Sequence, residues 1–162
     1  LGYGVSCDSF HMTAPDEQAS GAVRAMRAAL ADAGLEPSDI DYINAHGTGT
    51  PVNDVTETKA IKEVFGHRAH DIPVSSTKSM HAHTLGASGA LEGIVSLLAL
   101  SHGFIPPTLN YKEADPQCDL DYVISGARTA ALRAVLSNSF AFGGNNTTLI
   151  FGRYEGEGRV HG

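Results

Sequence analysis

The 162-residue chain has no tryptophan, only two cysteines, and Phe, Trp and Tyr at 7% together. Cys7 and Cys118 stand far apart, as neither a disulfide framework nor a paired metal-ligand motif. Such cysteine usage suits a reducing, cytoplasmic compartment. Positive charge is also scarce: 11 Lys and Arg face 18 Asp and Glu, a formal net charge of −7. That balance argues against nucleic acid and anionic membrane as partners, because both recruit clustered Lys and Arg. The most apolar stretch, Leu85 to Ile105, is interrupted by Glu92, His102 and several Gly and Ser. It reads as a buried helix and a poor membrane span. No basic segment precedes Leu1, so no signal peptide is expected, and Leu1–Val5 already reads as a strand. The expectation is a piece of a longer polypeptide. Phosphate-loop and dinucleotide fingerprints are missing, so the glycine-rich loops are not read as nucleotide sites.

What is present is enough for a core, with 42% apolar and 18% charged residues. The length fits one compact domain or half of a larger one. Strand and helix signals alternate. Leu1–Phe10 is strand-like, and Pro15-Asp16-Glu17 opens a helix with an acidic first turn, carrying Val23, Met26 and Leu30 to a stop at Gly34. Asp41–Ala45 reads as a short buried strand. Asn53 or Asp54 is expected to cap a second helix, Glu57 giving a capping-box spacing, with Ile61, Val64 and Phe65 inward. Ile72–Ser76 is a third strand, followed by an apolar helix from about Gly86 to Leu100. Tyr122–Ile124, Ala131–Ser137 and Thr147–Phe151 read as closing strands, the last two joined through Phe140–Asn146. This pattern is α/β.

Three polar loops follow strands, at Asn44–Asp54, Thr77–Gly86 and Asn138–Asn146. In α/β folds ligands collect where such strand ends meet. His46 and His83 sit at two of these junctions among small residues that leave room for a substrate. Taken singly, each is better explained as a capped or core-satisfied imidazole. Taken together, with Gly47-Thr48-Gly49-Thr50 after one and Lys78 before the other, they favour chemistry. His81 and His83 would supply two ligands of a transition-metal site, but no third stands at convincing spacing. His67 and His70 read as surface residues in a polar loop.

Three motifs then carry a resemblance: Asn44-Ala45-His46-Gly47-Thr48-Gly49-Thr50-Pro51; Lys78-Ser79-Met80 with His83 and Leu85-Gly86-Ala87; and Asn138-Ser139-Phe140-Ala141-Phe142-Gly143-Gly144-Asn145. In that order, with Cys7-Asp8 to Thr13, Pro106-Pro107-Thr108 and Cys118–Asp121, the chain resembles the C-terminal half of a β-ketoacyl-acyl carrier protein synthase. The likeness is to the elongating condensing enzymes of fatty-acid synthesis and to polyketide ketosynthases. It implies a thiolase-like fold, the C-terminal half of a five-layered α-β-α-β-α architecture. Residues 1–154 would form that domain and residues 155–162 a polar flexible tail.

The resemblance implies decarboxylative Claisen condensation of an acyl-enzyme thioester with malonyl-acyl carrier protein, by a Cys–His–His mechanism without a cofactor. His46 and His83 fall on the catalytic His positions, where two Nε2–H donors would stabilise the enolate left by CO₂. Lys78 and Glu92 are implied as a supporting pair, with Thr48 and Thr50 beside them. Phe142, with Gly143 and Gly144, would form the acyl gate and an oxyanion hole. A structural cation near Asn44, Glu92, Asn138 and Ser139 is suggested by the same likeness, these being oxygen ligands suited to hard cations. Neither Cys7 nor Cys118 matches the nucleophile, which in this family lies in the N-terminal half, so the chain alone is expected to be inert. Ala82 and Ala141 stand where the family usually has Gly. The implied partners are the acyl carrier protein, the N-terminal half and a second copy in a homodimer. Arg24, Arg27, Lys59, Lys62 and Arg68 are candidates for carrier docking, against a plainer reading as solvated helix faces. The alternative functions are a non-condensing chain-length partner subunit, which usually lacks the His pair, and a decarboxylase or acyltransferase of the same fold.

Overall fold

A computed structural model of the chain describes residues 1–154, and the expected tail at 155–162 lies outside them. Strands β1 (Gly2–Cys7), β2 (Tyr42–Asn44), β3 (Val74–Ser75), β6 (Ala134–Ala141) and β7 (Asn145–Gly152) form one sheet in the order β1-β7-β6-β2-β3. The pairs β1–β7 and β7–β6 are antiparallel, while β6–β2 and β2–β3 are parallel. A separate two-stranded ribbon joins β4 (Phe104–Ile105) to β5 (Arg128–Thr129). The sequence reading had missed it, since two-residue strands carry no measurable alternation.

Helices α1 (Ser20–Ala33) and α2 (Pro51–Phe65) cover one face of the sheet. Met26, Ala29, Leu30, Ile61 and Phe65 bury there against Ile43, Leu136 and Ile150. Helix α4 (Ser88–His102) covers the other face, where Ala99 and Leu100 meet Tyr42, Val135 and Leu132. Alternation along β2 and β6 splits these residues between the faces as a strand's period of two requires. This is the α/β layering expected of half a thiolase-like fold.

Several boundaries differ from the sequence reading. Helix α1 begins at Ser20, not at Pro15, because Ala19 is held at φ 57° and breaks the helical run. Asp16 still serves that end, its carboxylate accepting the N–H groups of Gln18 and Ser20. Helix α2 is capped by Thr50, whose Oγ1 accepts the Asn53 N–H, with Pro51 as its first residue. Neither Asn53 nor Asp54 is the cap. Tyr122 makes only a single bridge to Val74, since that chain peels away after Asp121 and Val123 bond across to Val74. Strand β6 begins later than expected, at Ala134, but runs on to Ala141, and β7 starts earlier, at Asn145, leaving only Phe142-Gly143-Gly144 as the turn, with φ 83° and 75° at the two glycines.

Helix α4 is built inside out. Its buried face carries Ser88, Glu92, Gly93 and Ser96, and its outer face leaves Leu91, Ile94, Leu97 and Leu98 exposed. The segment Leu85–His102 has a mean hydropathy of 1.3 and length enough to cross a membrane by those criteria. One side of it is seated on the sheet through polar and small groups, which a lipid-facing helix does not need.

Strand β1 lies so close to α1 that a Cβ on Gly4 would run into the Ala25 carbonyl oxygen and the Ala29 nitrogen. Gly4→Ala is therefore expected to cost about 1–3 kcal/mol of folding stability by overpacking against backbone. Val5→Ala, on the exposed side of the same strand, should change it by less than about 0.5 kcal/mol. Urea denaturation of both variants checks this, and equal effects would show that the β1–α1 approach is not the constraint.

Candidate functional site

Strands β2, β3 and β6 run parallel, so their carboxyl ends deliver the three polar loops to one end of the sheet. Strand β2 leads through Ala45 to His46. Strand β3 leads through Ser76 and Thr77 into the one-turn helix α3 (Lys78–His81), with His83 just beyond. The structure thus brings His46, His83, Lys78 and Glu92 together from loops far apart in sequence. The two imidazole rings stand edge to face, their centroids 5.5 Å apart and their planes at 85°.

The hydrogen bonds assign both tautomers. Lys78 Nζ lies 3.3 Å from His46 Nδ1, and an ammonium can only donate, so Nδ1 accepts and Nε2 carries the proton. At His83 the Leu85 backbone N–H donates to Nδ1 at 3.2 Å, with Ser88 Oγ at 3.0 Å, which again leaves the proton on Nε2. Burial, with the positive Lys78 and the neighbouring His83, lowers the His46 pKa to about 3. His83 is shifted down as well, by partial burial and by Lys78. Both rings are neutral donors near pH 7.

Lys78 and Glu92 form an ion pair with side chains only 4% and 0% exposed. The same ammonium therefore holds the carboxylate on α4 and the imidazole on the β2 loop. Burial pushes Glu92 up, and its hydrogen bond and charge contact with Lys78 pull it back.

Sequence reasoning missed Glu57, the residue that shapes the β2 loop. It is not a capping-box partner. Its buried carboxylate accepts the backbone N–H groups of His46 and Gly47, each at 2.9 Å, and the Asn138 amide at 3.1 Å. Burial raises its pKa, while these bonds from Gly47, His46 and Asn138 oppose the rise. The signal was available: Glu57 lies on the same stripe as Ile61 and Phe65, at spacings of four, where a carboxylate has no business without partners.

The other expected residues divide. Thr48 and Thr50 hydroxyls lie 3.0 Å apart and line a cavity of about 800 Å³ with Lys78, His83, Glu57 and Cys118. The Phe142 ring is 77% exposed, and Phe140 is the ring that packs on His46, with centroids 5.5 Å apart. The turn bearing Phe142 is tied down: Gly143 N–H donates to the Met12 carbonyl at 2.7 Å, and Asp8 N–H donates to that of Gly144 at 2.8 Å.

Around the expected cation position, Asn44 Oδ1 and Glu92 Oε2 are buried oxygens without a hydrogen-bond partner, donors of the kind a hard cation takes. Ser139 lies on the same side, beside Gly89 of α4. Asn138 does not belong to that set. Its side chain points through the opposite face, donating to Glu57 and accepting from Thr148 Oγ1 at 2.8 Å. Of the candidate docking cations, Arg27, Lys62 and Arg68 are paired with Glu63, Asp119 and Asp71, and Arg24 donates to the Cys7 carbonyl. The face is thus largely self-neutralised.

Residues 1–112 match the family model described as beta-ketoacyl synthase, C-terminal domain. The chain is 51% identical over 155 residues to 3-oxoacyl-[acyl-carrier-protein] synthase 2 of Synechocystis sp., covering 96% of this chain and 37% of that protein. It superposes with a TM-score of 0.90 and 51% identity on a solved structure titled the ishigamide ketosynthase/chain length factor, covering 95% of this chain and 37% of that one. A type II PKS acyl-carrier protein in complex with its ketosynthase bound to the hexaketide is matched at a TM-score of 0.92 and 35% identity, covering 95% of this chain and 38% of that one. The chain therefore spans little more than a third of the proteins it matches.

The depressed basicity of His46 sets a pH dependence. The folded state leaves it unprotonated down to about pH 3, whereas an unfolded chain protonates it near its ordinary value of 6.5. Proton uptake by the unfolded state then lowers stability as pH falls from about 6.5, by about 1.4 kcal/mol per pH unit, with no further change above it. Urea titrations from about pH 7 to about pH 5 should show this slope reduced by that amount in His46→Gln. An identical slope in the variant would count against a buried neutral imidazole.

Proposed function

The chain belongs to the β-ketoacyl synthase family, whose C-terminal domain it supplies, and we propose that it carries the decarboxylating, enolate-stabilising apparatus of an elongating ketosynthase. The observation that carries this reading is the pair of neutral imidazoles 5.5 Å apart, each with Nδ1 engaged and Nε2–H free to donate. When malonyl-acyl carrier protein loses CO₂, the electrons of the broken C–C bond pass into the thioester, and its oxygen becomes the site of charge. His46 and His83 stabilise that oxygen as a preorganised donor pair. The enolate carbon then attacks an acyl thioester held on a Cys of the N-terminal half, forming the new C–C bond and releasing the thiolate. Lys78 and Glu92 hold the pair in register, and Thr48 and Thr50 offer hydroxyls to the arriving thioester arm. The Phe142 ring guards the acyl side and its backbone N–H contributes to the oxyanion hole for the acyl thioester, with Gly143 and Gly144 shaping the turn.

Neither cysteine of this chain suits the nucleophile role. Burial raises the Cys118 thiol, and Cys7 ends β1 with its thiol toward the Gly143 carbonyl. On this reading the domain alone is inactive, and its partners are the N-terminal half, the acyl carrier protein and a second copy of the whole enzyme, in the cytoplasm. The apolar outer face of α4 is the surface that the N-terminal half would cover. A carrier protein bound to its ketosynthase in a solved relative supports the carrier as partner. The presence of both histidines favours catalysis over the chain-length subunit.

In the complete enzyme, His46→Ala and His83→Ala should each lower decarboxylation of malonyl-acyl carrier protein by about 10²–10³. Undiminished CO₂ release from both variants would overturn the assignment. Mass analysis of the 162-residue chain after incubation with acyl-carrier protein should show no acyl adduct. A stable adduct on Cys118 would place the nucleophile inside this domain instead.

A further inference from the structure

Ala82 connects α3 to His83 with φ 64° and ψ 176°. That region of backbone space is essentially restricted to glycine, and a residue with a Cβ persists there only when its surroundings over-determine it. The peptide that follows Ala82 carries the N–H of His83, so any relaxation of Ala82 turns His83 with it. Residues 82–87 are exposed in this domain, and packing alone does not resist that turn.

One side chain does. His81 Nδ1 lies 2.9 Å from the Ala82 carbonyl oxygen, and His81 Nε2 lies 3.2 Å from Thr77 Oγ1. A carbonyl oxygen only accepts, so His81 carries a proton on Nδ1, and its Nε2 shares a hydrogen bond with the Thr77 hydroxyl. Thr77 is buried and fixed at the head of α3. The imidazole thus spans the one-turn helix, anchored on a core residue and gripping the strained peptide beyond it. The remaining local bonds hold the His83 ring to Leu85 and Ser88, and the Ala82 N–H to the Lys78 carbonyl; none restrains the peptide oxygen.

We propose that His81 is a positioning residue, clamping the Ala82–His83 peptide in a conformation that Ala would otherwise leave, so that His83 keeps its Nε2–H turned to the substrate side. The inference rests on the reading of His83 as an enolate donor. The sequence feature it absorbs is the His81-x-His83 pair, which on this reading is a clamp and its cargo.

A four-way comparison in the complete enzyme tests it: the parent, His81→Ala, Ala82→Gly, and the double variant. Losing the clamp should lower kcat for decarboxylation about 10- to 100-fold, as a displaced catalytic group does, with KM for malonyl-acyl carrier protein little changed. Ala82→Gly should keep near-parental activity and melt a few degrees higher, because Gly adopts this conformation without strain. In the Ala82→Gly background, removing the His81 ring should cost much less than it does beside Ala82, a non-additivity expected of two residues acting on one peptide. His81→Asn, whose amide retains a donor, should recover most of the activity. Equal losses from His81→Ala in both backgrounds would overturn the clamp, as would an unchanged kcat in that single variant while His83→Ala is inactive. Melting midpoints separate this from the reading of the reaction. If His83→Ala proves fully active, the enolate role fails, and the midpoints of the four proteins still decide whether His81 bears the strain at Ala82.

Discussion

A single buried ammonium organises the site. Lys78 reaches a carboxylate on α4 and an imidazole on the β2 loop, so one charge ties the helix to the carboxyl ends of β2 and β3. It needs Glu92, because an unpaired cation at that depth would be expelled or neutralised. Glu92 in turn explains why α4 buries a polar stripe. Burial, with Lys78 beside it, keeps His46 from charging, and the Lys78 contact at Nδ1 leaves the imidazole proton on Nε2. The His46 tautomer thus follows from this ion pair, and removing either partner would leave a buried charge costing about 3–5 kcal/mol.

A second polar thread lies on the opposite face of the sheet. Glu57 takes the first two N–H groups of the His46 loop, Asn138 donates to Glu57, and Thr148 donates to Asn138. The β2 loop is therefore held from both sides, by a carboxylate acting on its backbone and an ammonium acting on its side chain. Every buried donor in that thread has an acceptor, as an interior of low polarity requires.

Sequence periodicity was enough to find the main strands, the helices and the order of the three loops, because each has a long apolar repeat or a Gly and Pro boundary. It placed His46, His83, Lys78 and Glu92 at one site through resemblance, and the fold does gather them. What it misjudged were features decided across the sheet. Glu57 reads as a capping-box partner because its spacing from Asp54 fits one, yet its own partners come from the β2 loop and β6, invisible to local pattern. Asn138 and Ser139 are neighbours in sequence, but a strand turns successive side chains to opposite faces, so only one of them sits beside Asn44 and Glu92. The start of α1 slipped by five residues because a left-handed Ala19 has no sequence signature. Ala82 was legible as an anomaly and not as strain, since dihedral angles are a property of the folded loop.

The inverted helix α4 has a consequence for how this domain varies. Ile94, Leu97 and Leu98 lie on the exposed side of α4, away from the buried ion pair and from the core clusters, so a polar replacement there leaves those in place. On the proposed reading the same replacement unseats the other half. The stripe is then free within one body and constrained between two, and its sequence will drift only in step with the surface it meets. A domain of this kind is a poor candidate for exchange between distant ketosynthases, however well its histidines are preserved. What travels with the chemistry is the matching of two apolar faces.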